Sequence, residues 1–375
     1  MTSKTASAVA ILVGTTIGAG IFALPYAVNL LGFARGLVFL IVLGLLILLL
    51  HLIYGEVILR TPGDHQLTGY SQIYLGKYGR IFATVSLFIG FYGALLAYLV
   101  KIGQFAALIT GLNLPSLFSL FFWAAISLTI YAGLRLLAKT ELILVGLMLF
   151  FIVILSLVGL TNIRPANYFS SVPLPISHFF FAYGVILFSL IGFSAIPEME
   201  EILRSEPAKL KKAIILGTFI PLAIYLLFVL LIIGISGSKT SQDAISGLIY
   251  FLPAWITKLG AGLGILTMST SFLALGYALR EVWYRDFELK KKIAFWLAVT
   301  PPLLLFLSGA NNFILILEYT GALTGGLTGL LIINCFWKAK SAGGRIPAYS
   351  LSIPKSVLLI IGLIFLLGIM FLFFS

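Results

Sequence analysis

The chain has 375 residues, 61% of them hydrophobic and only 10% charged, and a formal net charge of +12. Soluble domains carry about 25% charged residues, so a water-soluble globule is excluded, and a mean hydropathy of +1.14 indicates a helical protein that crosses a bilayer many times. The positive charge does not indicate nucleic acid, because the basic residues lie in short loops and alternate loops hold most of them.

Eleven spans are predicted, at roughly 6–31, 36–59, 81–110, 117–134, 140–161, 178–203, 211–236, 257–283, 292–309, 312–337 and 355–374. With the N-terminus inside, one side holds Lys4, Arg60, Lys77, Arg80, Arg135, Lys139, Arg204, Lys209, Lys211, Lys212, Arg280, Arg285, Lys290, Lys291, Lys292, Lys338, Lys340, Arg345 and Lys355. The other side holds only Arg35, Arg164, Lys239 and Lys258. This parity places the N-terminus in the cytoplasm and the C-terminus outside, in the cell's cytoplasmic (inner) membrane. The first span lacks a small-residue cleavage site before a polar chain, so it is expected to be retained. Cys335 is the sole cysteine, which rules out an intrachain disulfide and a cysteine-built metal site.

The first span contains GTTIGAGIFALP at residues 14–25. Glycine costs about 1 kcal/mol per helical position relative to alanine, and proline about 3. In lipid, broken backbone is tolerated only inside protein or along a cavity. The sixth span carries FSLIGFSAIPEME at 188–200. Ile17-Gly18 with Ala23-Leu24-Pro25 matches Ile191-Gly192 with Ala195-Ile196-Pro197. The two breaks lie five spans apart, so the second unit enters the membrane from the opposite side. Paired breaks in inverted halves point to a transporter site at their crossing. Residues 6–161 form the first five-helix repeat, 178–337 the second, and 355–374 an extra helix.

At such a break the first half-helix leaves free carbonyls and the second leaves free N–H groups. The amides and the positive helix end suit a carboxylate, and the carbonyls suit a cation, either an ammonium or Na⁺. A zwitterionic amino acid presents both charges. A glycine-kinked helix packed on a neighbour is the plainer account of one such stretch; the second break argues against it. Near that break, Phe188 and Phe193 are candidates to wall a pocket over an apolar side chain, and Ser189 is either a ligand or bonded back to its own helix. In the eighth span, Thr267, Thr270 and Ser271 share a helix face. Their hydroxyls offer hard oxygen ligands for Na⁺, or bond back to helix carbonyls.

Ionisable residues inside spans are functional candidates. Lys101 shares a face with Tyr98 and either snorkels to an interface or serves coupling. Glu318 titrates or gates, or pairs with a cation such as Lys101. His51 is expected to be a hydrogen-bonded core residue. No metal-ligand spacing, nucleophile–base pair or phosphate loop appears, so an enzyme is not indicated.

GTTIGAGIFALP, TSFLALGYALRE at 270–281, AYLVKIG at 97–103 and the eleven-span length together resemble the amino acid/polyamine/organocation (APC) superfamily, which has the LeuT-type fold. Within it the chain is most similar to the amino acid/auxin permease branch, which includes the bacterial tryptophan/tyrosine permeases. The resemblance implies an all-α membrane fold of eleven helices, a 5+5 inverted repeat plus one, with helices 1 and 6 unwound mid-membrane. Residues 14–22 fit the family pattern GxxxGxGxF around Gly18. That implies carboxylate contacts at Ala19 and Gly20, and amine contacts near Thr15 and Thr16. It also implies sodium carbonyl ligands at Gly14 and Ile17, completed by Thr267, Thr270 and Ser271. Gly192 and Phe193 match the family's aromatic gate, and Tyr98 its third-span substrate position. Leu190 and Ile191 replace the polar residues of some members, which favours an apolar or aromatic substrate.

The expected function is therefore secondary active import of a neutral, apolar or aromatic amino acid by alternating access, as a Na⁺ symporter. A proton-coupled symporter, an uncoupled exchanger and a membrane amino-acid sensor are the alternatives. The expected partners are the small-molecule substrate and the lipid bilayer, with no nucleic acid and no obligate protein partner. Na⁺, or H⁺ in its place, is the coupling ion, and no other cofactor is expected.

Overall fold

A computed structural model describes residues 3–132, 138–169 and 175–372, and every regular element in them is helical. The helices are α1 Ser3–Thr16, α2 Gly20–Leu30, α3 Phe33–Arg60, α4 Leu67–Thr110, α5 Pro115–Tyr131, α6 Ala138–Gly159, α7 Ile176–Leu190, α8 Ala195–Leu203, α9 Leu210–Ser236, α10 Ala254–Glu281, α11 Lys291–Leu307, α12 Phe313–Ala342 and α13 Lys355–Phe371. Seven helical segments are long and apolar enough to cross a bilayer, and α1 with α2, bent by 61° at their junction, makes an eighth. Helices α5 and α13 are apolar but shorter. Arg135, the side chain of Lys139, and the expected ends of the fourth and eleventh spans lie outside the described residues.

The third expected span, 81–110, falls in the part of α4 that follows a break. Helix α4 starts at Leu67 and is interrupted at Gly76, whose φ of +72° is open to glycine at no steric cost. The piece before Gly76 buries Tyr70, Ser71 and Tyr74 and exposes Gln72 and Ile73. The tenth span instead runs on to Ala342, so Lys338 and Lys340 lie within α12 rather than in a loop.

The interrupted helices pack on each other: α1 lies against α8 and α9, and α2 against α7. Gly20 allows the second approach, since a Cβ there would stand 2.7 Å from the Cα of Ser189. Pro25 is not the breaking residue. It sits inside α2, and helix is lost upstream at 17–19. Pro197 is likewise the third residue of α8, in the first turn, where an N–H has no helical partner to lose. Around this centre α12 packs along α4 and α7, and α10 along α4.

The segment after α12 returns across one end of α3. Glu56, fully buried, meets Arg60 Nε at 2.7 Å and Lys340 Nζ at 2.8 Å, and accepts from Leu351 N–H at 2.6 Å. Tyr349 donates to the Leu52 carbonyl at 2.7 Å. These bonds gather Arg60, Lys340 and the 349–351 segment at one end of the molecule, here called the basic end.

Candidate substrate and cation site

Helix α1 closes with Ile17 N–H donating to the Val13 carbonyl at 2.9 Å, and regular bonding resumes with Phe22 N–H donating to Ala19 at 3.2 Å. Between them, the amides of Gly18, Ala19, Gly20 and Ile21 have no backbone acceptor among the described residues. Four adjacent free donors at the start of α2 make an anion seat. A buried N–H without a partner is costly, so the break is arranged for something other than its own packing. At the second break, helix ends at Leu190 and restarts at Ala195, with Ile191 in extended geometry.

Tyr225 of α9 joins the two breaks. Its hydroxyl lies 2.7 Å from the carbonyl of Thr16 and 2.9 Å from that of Ser189, and the whole side chain is buried. With one proton it donates to one carbonyl at a time. Nothing in the local sequence of the seventh span identifies this role; the only signal is a phenol in the apolar run PLAIYLLF.

The five residues expected to hold sodium come together. Gly14, Ile17, Thr267, Thr270 and Ser271 line one small cavity of about 20 Å³, with Leu144, Val145 and Met148 of α6 completing it. That is about the room of one water-sized sphere. The hydroxyls of Thr267 and Thr270 also bond back, to Leu263 at 3.0 Å and Thr267 at 2.9 Å. The two arrangements coexist, because a hydroxyl that donates its proton keeps lone pairs for a cation. A small cavity lined by hydroxyl oxygens and walled by Gly14 fits a hard monovalent cation better than a soft metal. Among the described residues no group of His, Cys, Asp or Glu has metal-binding geometry.

Tyr98 of α4 is buried, and its hydroxyl would stand 3.5 Å from a Cβ on Gly18 while facing Ser271. It therefore stands beside both the amide seat and the rim of the small cavity. The other expected substrate residues divide. Phe193 lines a cavity of about 410 Å³ that reaches Ile191 and Ser194 and runs along α4 and α12 to Glu281 and Arg285 at the basic end. Its ring meets His51 edge-on at 5.0 Å. Ala19, Gly20, Ser189 and Gly192 are buried at the crossing, and a Cβ on Gly192 would meet Thr16. Ser189 bonds back to Val185 at 2.8 Å, so its side chain serves its own helix. Phe188 is half-buried and backs onto Gly321 of α12.

Thr16 is engaged twice, its hydroxyl with Leu12 at 2.8 Å and its carbonyl with Tyr225, and the Thr15 side chain is exposed. Lys101 neither snorkels nor meets Glu318. It is buried and pairs with Asp243 at 3.0 Å. Glu318 is buried with no ion-pair partner among the described residues. His51 bonds Thr218 through Nδ1 at 2.9 Å, and its Nε2 is buried without a partner.

Comparison with known proteins bears on the family and the fold. The sequence profile of the tryptophan/tyrosine permease family matches residues 1–374. Two Haemophilus influenzae proteins are similar over most of their length. Tyrosine-specific transport system 1 is 28% identical over 370 residues, covering 92% of this chain and 90% of its own. Tyrosine-specific transport system 2 is 26% identical over 379 residues, with the same coverage of 92% and 90%. Among solved structures, MhsT in complex with L-phenylalanine superposes with a TM-score of 0.68 at 14% identity, covering 98% of this chain and 97% of that one. A nucleobase-cation-symport-1 family transporter, in a closed conformation with bromovinylhydantoin bound, superposes with a TM-score of 0.63 at 14% identity, covering 87% and 76%. These likenesses show a shared LeuT-type fold.

Proposed function

The chain belongs to the tryptophan/tyrosine permease family, a family of transporters and not of enzymes, and from that premise we propose that it imports an aromatic amino acid, tyrosine foremost, by sodium-coupled alternating access. The observation that carries this reading is the convergence at the first break: four unpartnered amides, a small hydroxyl-lined cavity, and Tyr98 beside both. The carboxylate sits on the amides of Gly18, Ala19 and Gly20. The amine faces the carbonyls that the breaks leave free, and the aromatic side chain extends past Phe193 into the larger cavity. The sodium ion takes the space between Gly14, Ile17, Thr267, Thr270 and Ser271. Tyrosine follows from the relatives' names.

In this reading the chain crosses the cytoplasmic membrane eleven times, with the N-terminus and the basic end in the cytoplasm and the C-terminus outside. Residues 6–161 and 178–337 are inverted repeats, the two breaks lie mid-membrane, and the segment from 355 on is an added span. The first, second, sixth and seventh spans rock against the rest around a fixed site. The larger cavity, reaching the basic end, makes this an inward-facing arrangement. Substrate and ion each drive the cycle only through unequal affinity for its two states. A second reading has proton coupling in place of sodium, and it is favoured by Glu318, an ionisable group buried in α12 without an ion-pair partner among the described residues.

Radiolabelled uptake into proteoliposomes tests the reading, with a panel of amino acids under an imposed Na⁺ or H⁺ gradient. The expected result is tyrosine accumulation driven by inward Na⁺. Accumulation driven by H⁺ alone moves the coupling to the second reading, and exchange without accumulation shows an uncoupled exchanger. Tyrosine binding without movement of any amino acid would mark a sensor.

A further inference from the structure

The two ends of the molecule differ. At the basic end the larger cavity extends to Gln66, Glu281 and Arg285. At the other end the loop between α9 and α10 folds over the bundle, and a buried ion pair holds it there. Lys101 Nζ of α4 meets Asp243 Oδ2 at 3.0 Å, with both side chains over nine-tenths buried. The second oxygen, Oδ1, accepts from Ser241 Oγ at 3.0 Å and from Ser246 N–H at 2.9 Å, and also from the Ser246 hydroxyl. Lys101 further donates to Gln104 and lies 4.7 Å from the ring centre of Phe313, at the start of α12. The backbone bends to make this contact: Ala244 takes φ +59°, a left-handed conformation that a non-glycine residue adopts at a cost.

The loop is also tied to the other group of helices. It leaves α9 directly, and Asn29 near the end of α2 donates to the Gly237 carbonyl at 3.1 Å. One side of the loop thus belongs with α2 and α9, and the other is pinned by a charge pair to α4 and α12. A charge on each side, aimed by strained backbone and sealed by aromatic rings, is more than packing requires, because hydrophobic residues of similar volume hold such a contact at least as well.

We propose that Lys101 and Asp243 form a latch that closes the end of the transport path opposite the basic end, and that this pair must part each time the site opens to that side. The latch itself is a matter of loop closure. Its kinetic consequence rests on the transport reading above.

Two measurements on the full-length protein test it. Hydrogen–deuterium exchange of residues 241–252 reads closure directly. In Asp243→Asn, which preserves shape, and in Lys101→Met, the loop is expected to exchange about tenfold faster or more. Reversal of the pair, Lys101→Asp with Asp243→Lys, is expected to restore part of the protection, since a lysine at 243 brings back the charge pair but cannot accept from Ser241 and Ser246. Unchanged exchange in both single variants would overturn the latch. Tyrosine uptake into proteoliposomes then separates a latch from a structural tie. With the latch loosened, the outward-open state is favoured, so the external KM falls and the maximal rate falls severalfold, and the reversed pair recovers part of both. A loosened loop with KM and maximal rate unchanged would show a tie without a gating role, which also overturns the proposal. Absence of transport by the wild-type protein would overturn the transport reading and leave the exchange measurement to decide closure.

Discussion

The Tyr225 hydroxyl lies 2.7 Å from the main-chain carbonyl of Thr16, the last residue of helix before the first break. It lies 2.9 Å from the corresponding region of the second break, at Ser189. One buried phenol therefore satisfies an orphaned carbonyl and ties together the two places where the helices are interrupted. Tyr225→Phe removes that bond and nothing else of size. Leaving a buried carbonyl unsatisfied costs about 1–3 kcal/mol, so the variant should melt several degrees lower and take up tyrosine at least severalfold more slowly. Thermal denaturation in detergent and initial uptake rates check this; wild-type values in both would show that the bond does not hold the breaks.

Gly18 and Gly20 should separate binding from packing. A Cβ on Gly18 meets only the Tyr98 hydroxyl, at 3.5 Å, whereas one on Gly20 would stand 2.7 Å from Ser189 Cα. Gly18→Ala is expected to keep stability and raise the KM for tyrosine by crowding the amide seat. Gly20→Ala is expected to lose about 1–3 kcal/mol of stability by forcing α2 from α7. A melting curve and a KM for each variant decide the matter.

The sodium assignment makes its own demand. Thr270→Ala combined with Ser271→Ala removes two of the three hydroxyls lining the small cavity. Na⁺ stimulation of uptake should vanish while the protein folds and inserts. Stimulation that persists in the double variant would move the ion elsewhere.

Acid should leave the latch intact over the working range. Burial alone would raise the Asp243 carboxyl, but the Lys101 ammonium and the Ser246 bonds outweigh it and hold it below the ordinary value of 3.8. A carboxyl lowered on folding contributes stability that is fully present above its unfolded pKa and is lost only as pH falls through the lower folded one. Exchange of residues 241–252 should therefore be flat in its protection from neutrality down to about pH 5. Opening of the loop within that window would contradict the pairing.

Glu56 tests the fastening at the basic end. It is fully buried between Arg60 and Lys340 and also accepts the Leu351 amide. Glu56→Ala leaves the Leu351 amide without its acceptor, while Arg60 and Lys340 still reach water, so the cost is about 1–3 kcal/mol. Thermal denaturation should show that loss, and limited proteolysis should cut within 343–354.

Local composition made the two breaks legible, because glycine and proline weaken helix wherever they stand. It could not place their edges: Pro25 and Pro197 look like the breaking residues, yet both are in helix, and the chain leaves helix at 17–19 and 191–194. Thr267, Thr270 and Ser271 were legible through helical spacing, and the resemblance joined them to Gly14 and Ile17 across about 250 residues of sequence. Partners fixed only by tertiary approach were not legible. Asp243 is an ordinary loop acid until the fold brings it to Lys101, and Tyr225 is an ordinary apolar-span tyrosine until α9 crosses both breaks. The helix before Gly76 escaped notice because it is too short for a span.

The central claim is that one site binds tyrosine and sodium together, through Tyr98 and Ser271 at their junction. Equilibrium binding of tyrosine to the purified protein, with and without Na⁺, tests it most directly. Linkage requires that Na⁺ and tyrosine raise each other's affinity by the same factor, and typical coupling of about 1–3 kcal/mol corresponds to about 5- to 150-fold. The account predicts a tyrosine Kd at least fivefold lower in Na⁺ than in choline, with the difference lost in the Thr270→Ala, Ser271→Ala variant. A tyrosine Kd independent of Na⁺ in the wild-type protein would contradict it.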